Sequence, residues 1–216
     1  MLVNIVHPHM YHVQKRPNKN GGLEEGELEL SLELKEQLQF AERNSKINFF
    51  INKALSLGAQ VIWYQDSKQR IMEIFFLMEL YSTDPNWNIL IDSRIDIAVT
   101  IPGAGAPLPD VKPKNYPLDS WNRLREICIS HSELGQKISS PKISFYIGGA
   151  LERCVTSMAI YQAKFFREKG QKIYCVPELC ASFKDDEVLT SRIKLAEYAV
   201  EEVTYDKALQ LLSARK

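Results

Sequence analysis

Cys154 is the residue of this sequence best placed for covalent chemistry. It follows Gly148-Gly149 closely and opens an apolar run with helical spacing, so the pattern puts it at the first turn of a helix. There the helix dipole favours a thiolate, and backbone N–H groups are available to an oxyanion. Cys128, Cys175 and Cys180 have no such setting and read as small apolar fillers, the commonest role of a free cysteine. No two cysteines form a C-x-x-C pair, and a chain of 216 residues that is 45% hydrophobic does not need disulfide staples. His7, His9 and His12 resemble a metal cluster in spacing. Pro8 interrupts the strand that would align them, however, and no fourth ligand follows at suitable spacing.

The elements that must carry these residues alternate. Apolar runs at Leu2 to Val6, Gln60 to Tyr64, Ile95 to Ile101, Ile143 to Ile147 and Lys172 to Val176 read as strands, with a last short one within Tyr198 to Val203. Helical spacing marks Ser45 to Leu57, Ser67 to Leu80 and Val155 to Phe166. Another helix is capped by Asp119 and carries Trp121, Leu124 and Cys128 on one face. Two more begin at Asp185 or Asp186 and, capped by Thr204, at Tyr205 to Leu212. Asn18 to Gly26 is a polar loop, and Glu24 to Glu36 is a solvated helix face or hairpin. Pro102 to Pro117, with five prolines in sixteen residues, is a long loop. Strands alternating with helices predict a three-layer α/β/α fold with a mostly parallel central sheet, in one domain over residues 1–216.

Ligands of such sheets bind beyond the carboxyl ends of the strands. That rule selects His7, Gln65-Asp66, the loop holding Lys112 and Lys114, Cys154, and Pro177-Glu178. Each has a plainer reading as well: Asp66 as a helix cap, the lysines as solvated loop charges, and Trp63, Trp87 and Trp121 as core or rim aromatics.

Composition narrows the partners. Lys+Arg and Asp+Glu both number 27, so no net positive field draws the chain to nucleic acid or anionic lipid. The longest apolar stretch, Ile74 to Met78, is far below a membrane span, and the first residues lack the pattern of an export signal, which leads us to expect a cytoplasmic protein.

Gly148 to Ser182, GGALERCVTSMAIYQAKFFREKGQKIYCVPELCAS, resembles the nucleophile region of the isochorismatase-like cysteine hydrolases, which include nicotinamidases and carbamoyl-amide hydrolases. The matching features are a Gly, an acidic residue two places before Cys-Val, an Ala-bearing helix closed by Gly170, the strand IYCV, and Glu178 before Cys180-Ala181-Ser182. The resemblance implies Cys154 as nucleophile, with the N–H groups of Leu151 and Cys154 as oxyanion donors. It also implies a site lysine, for which Lys112, just before Pro113, is favoured over Lys114. The family's strand-end aspartate is replaced here by His7, which could act as the base in a Cys-His pair. Lys114, Asp66 and Trp121 are further candidates for substrate contact. The family's metal-binding pattern is not met, since Gln65-Asp66-Ser67-Lys68 follows the second strand and no His comes after it until His131. The expectation is a homo-oligomer that hydrolyses a small amide, imide or related molecule without a cofactor, with a cis peptide near Ala150-Leu151. The competing reading is a non-catalytic binding or structural protein that lost the acid.

Overall fold

In the first strand, β1 (Leu2–Val6), every residue is buried, with Leu2 and Val6 packed in one apolar cluster and Val3 and Ile5 in another. A strand apolar on both faces belongs in the middle of a sheet covered on both sides. The computed structural model describes residues 1–6, 15–17, 23–25, 34–66, 92–100, 122, 125–182 and 185–214. In it β1 pairs in parallel with β4 (Gln60–Asp66) on one side and β6 (Ile143–Ala150) on the other. β5 (Ile95–Thr100) extends the β4 side, and β7 (Lys172–Ala181) and β8 (Glu201–Glu202) extend the β6 side. The result is a six-stranded, all-parallel sheet in the order β5-β4-β1-β6-β7-β8. A separate antiparallel pair joins β2 (Lys15–Pro17) to β3 (Leu23–Glu25).

Helices cover both faces. On one lie α1 (Leu34–Ser56), through Ile47, Phe50, Ile51 and Ala54, and α5 (Tyr205–Ser213), through Ala208 and Leu212. Phe50 meets Phe145 edge to face, at 5.6 Å and 84°. On the other lie α2 (His131–Ser139), α3 (Thr156–Phe165) and α4 (Asp185–Glu197), through Leu134, Ile138, Met158, Ala159 and Leu195. This is the three-layer α/β/α arrangement that the alternating pattern predicts.

Buried polar groups are paired across this second layer. Asn4 donates to the Phe145 carbonyl at 3.1 Å and accepts the Tyr64 hydroxyl at 2.9 Å. Gln162 accepts the Tyr146 hydroxyl at 2.8 Å and donates to the Ser144 hydroxyl at 3.0 Å and to the Ile138 carbonyl. Such pairing is what makes polar side chains tolerable in an apolar interior.

The caps follow the sequence where it is explicit. Thr204 caps α5, and α2 begins with a reciprocal capping box between Ser130 and Glu133. Elsewhere the boundaries move. α1 starts at Leu34, not Ser45, and β4 runs two residues past Tyr64, so that Asp66 pairs with Thr100 in the sheet. Cys128 bridges to Ile97 as extended chain and does not sit on a helix face. The strand expected within Tyr198 to Val203 shrinks to Glu201–Glu202, because α4 closes through a turn in which Ala199 has φ 50°. The helix expected over Ser67 to Leu80, the loop Pro102 to Pro117 and the helix start at Asp119 lie outside the described residues.

Candidate active site

The order of the strands locates the crevice. From β1 the chain steps outward to β4 and β5 on one side, then returns to β6 on the other and continues to β7 and β8. The direction of winding therefore reverses between β1 and β6, and at such a switch point the connections that leave the two neighbouring strands run to opposite faces of the sheet and leave room for a ligand between them. Val6, the last residue of β1, is the register partner of Gly148. Gly148 has φ 114°, and a Cβ there would meet the Val6 carbonyl oxygen at 2.4 Å, so only glycine allows the two strands to approach in this way.

Beyond Gly148 the strand continues to Ala150 and passes into a π turn, Leu151–Val155, before α3 begins. Cys154 therefore lies just ahead of the α-helix, in a wider turn, and not within its first turn as the spacing predicts. Isolated π turns of this kind recur at functional sites. Leu151 and Val155 anchor the turn in the core, while Cys154 is half-buried at its edge. The Thr156 hydroxyl donates to the Leu151 carbonyl, the Ser191 hydroxyl donates to the Glu152 carbonyl at 3.1 Å, and Arg153 faces Glu187 at 3.5 Å. No cis peptide bond occurs among the described residues, which corrects the expectation near Ala150-Leu151; the reversal after β6 uses the positive φ of Gly148 and the π turn.

The other cysteines have apolar surroundings. Burial pushes the Cys128 thiol up to about 12 and the Cys175 thiol well above its ordinary value. Burial also raises Cys180 to about 12, although the nearby Arg43 guanidinium and a hydrogen bond from the Gly148 backbone pull the other way. Its S–H donates to the Val176 carbonyl at 3.3 Å. That contact closes a bulge in β7: Tyr146 pairs with Cys175 and Gly148 with Cys180, so five residue steps on β7 match two on β6. Pro177, which the sequence reading places just after a strand ending at Val176, lies inside this bulge. Glu178, in the same bulge, accepts the Tyr205 backbone N–H at 2.8 Å and so serves the first turn of α5.

Of the residues expected at the site, Leu151 and Cys154 come together in one turn, and Asp66 ends β4. His7, Lys112, Lys114 and Trp121 lie outside the described residues. Sequence reasoning missed Thr156 and Ser191, which pin the turn. Ser191 belongs to another helix and has no local signature that ties it to Cys154. Among the described residues, no group of three His, Cys, Asp or Glu is disposed to hold a metal ion. Among them, too, no helix is long and apolar enough to cross a membrane.

No protein-family model and no curated protein matches the sequence. Solved structures do match in shape. A ribonuclease of Caenorhabditis elegans superposes with TM-score 0.54 at 8% identity, over 98% of this chain and 80% of that one. An isochorismatase family protein of Desulfovibrio vulgaris superposes with TM-score 0.50 at 12% identity, over 98% of this chain and 97% of that one. A pyrazinamidase of Pyrococcus horikoshii, in complex with zinc, gives 0.48 at 15%, over 94% of this chain and 98% of that one. With its parallel six-stranded sheet, its helices on both faces and its switch point beside β6, this chain has the isochorismatase-like fold.

Proposed function

We propose that the protein is a cysteine-dependent hydrolase that cleaves a C–N bond in a small amide, imide or related molecule, with Cys154 as nucleophile. One juxtaposition carries this reading: the turn bearing Cys154 leaves β6 at the switch point, beside the end of β1, where a parallel sheet offers its ligand crevice. The sequence resemblance over Gly148 to Ser182 supports the same assignment.

In this mechanism His7, the residue after β1, accepts the thiol proton as the Cys154 sulfur bonds to the substrate carbonyl carbon. The N–H groups of Leu151 and Cys154 take the negative charge that develops on oxygen. The C–N bond then breaks, and the nitrogen leaves with the proton from the imidazolium. Water attacks the thioester while His7 accepts its proton. Breaking the C–S bond releases the acid, and the sulfur recovers its proton from His7. Lys112, or Lys114 in its place, balances the thiolate charge, and Asp66 and Trp121 contact the substrate. The reading includes a single domain over residues 1–216, a cytoplasmic homo-oligomer, and no cofactor or nucleic-acid partner.

Ammonia release from a panel of small amides and imides tests it. The wild type should turn over at least one of them, Cys154→Ser should abolish turnover, and His7→Ala should slow it by roughly 100-fold or more. Wild-type inertness across the panel, with Cys154 no more reactive to iodoacetamide than a free thiol, would favour a non-catalytic binding protein, the reading that the replacement of Asp by His7 suggests.

A further inference from the structure

We infer that Ser191, on α4, is a positioning residue for Cys154. This rests on reading Cys154 as a reactive thiol. The Glu152 carbonyl lies inside the π turn, two residues before Cys154. The Ser191 hydroxyl donates to it at 3.1 Å, a tie between α4 and the turn that adds to the turn's own backbone. Ser191 is 4% exposed, so water does not readily replace it.

The helix that supplies this hydroxyl is itself fixed. Leu195, one turn further on, is buried in the core. Past its end, the Arg167 guanidinium donates to the Tyr198 and Ala199 carbonyls at 2.8 and 2.9 Å. α4 is thus a rigid backing for a five-residue turn in which the nucleophile and both oxyanion donors, Leu151 and Cys154, are carried. The Arg153 and Glu187 side chains span the same gap, but Arg153 is exposed and Glu187 partly so, and an ion pair of that kind at 3.5 Å contributes little. The buried hydroxyl is the stronger tie. Releasing it lets the turn relax, and small misplacements of a nucleophile slow its reactions disproportionately.

The experiment is the rate of iodoacetamide alkylation, resolved by cysteine with mass spectrometry, across pH 5 to 9 for the wild type, Ser191→Ala and Ser191→Thr. Ser191→Ala should slow alkylation of Cys154 roughly 3- to 10-fold and shift its pH profile, while Cys175 and Cys180 stay protected. Ser191→Thr, which keeps the hydroxyl, should recover most of the rate. An unchanged rate and profile in Ser191→Ala would overturn the inference. So would faster labelling of Cys154 together with Cys175 and Cys180, since that reports general loosening. If wild-type Cys154 is itself inert, the reading of Cys154 as nucleophile fails, and the positioning role fails with it. A reactive wild type with an indifferent Ser191→Ala sinks the positioning role alone.

Discussion

The Val6 carbonyl oxygen lies 2.4 Å from where a Cβ on Gly148 would stand, so β1 and β6 meet at their carboxyl ends with no room for a side chain. Gly148→Ala meets both this backbone clash and a φ of 114° and should cost about 3 kcal/mol or more, read as a lower urea midpoint. Gly58, with φ 71° and open space around it, is the control. Gly58→Ala should cost only about 1 kcal/mol, the strain alone. Equal losses at the two positions would mean that the close approach to Val6 is not what demands glycine.

Gln162 should be irreplaceable by an apolar residue of similar size. Gln162→Leu strands the Tyr146 and Ser144 hydroxyls and removes a donor from the Ile138 carbonyl, all inside the core. We expect a loss of about 3 kcal/mol in urea unfolding, partly relieved by adding Tyr146→Phe, which removes one stranded group. A double variant no more stable than Gln162→Leu would show that the Tyr146 hydroxyl finds another partner.

The buried thiols predict alkaline lability. Burial raises Cys128 and Cys180 to about 12 in the folded protein, against an ordinary value of 9.0. Between about pH 9 and 12 the unfolded chain therefore loses these protons first. Stability is intact below that window and falls as pH rises through it. Cys175, Tyr64 and Tyr146, also raised by burial, act in the same direction. Thermal midpoints should drop steadily from pH 9 upward, and a flat profile to pH 11 would contradict this.

Glu178 should matter to α5 and not to chemistry. Its exposed carboxylate accepts the Tyr205 N–H at the positive end of that helix, so Glu178→Ala should cost about 1 kcal/mol, less in high salt. Alkylation of Cys154 should proceed at the wild-type rate. A slowed Cys154 would instead place Glu178 in the reacting site.

The layers were legible in the sequence because local signals there agree with the fold. The apolar runs that become β1, β4, β5 and β6, the helical face at Ile47 to Leu55, and the Thr204 cap all act within a few residues of themselves. The place of Cys154 just after β6 was legible for the same reason, as glycines, a strand and a helix start fall in one short stretch, whereas the π turn that carries it was not. What stayed hidden depends on distant partners. The β7 bulge brings Cys180 into register with Gly148 on another strand, and the Ser191 contact joins residues 39 apart.

The place of β1 in the middle of the sheet also has a consequence during synthesis. Its residues leave the ribosome long before either neighbour: β4 begins at Gln60, and Asn4 bonds to Phe145, 141 positions later. Until β6 emerges, one flank of β1 is an open, apolar template able to recruit a strand from any nascent chain nearby. Native pairing on that flank must wait for the closure of a very long loop, a slow event for a parallel sheet. The burden of this topology thus falls on the growing polypeptide, and a chain stalled anywhere between β4 and β6 would hold the future centre of the molecule half-covered.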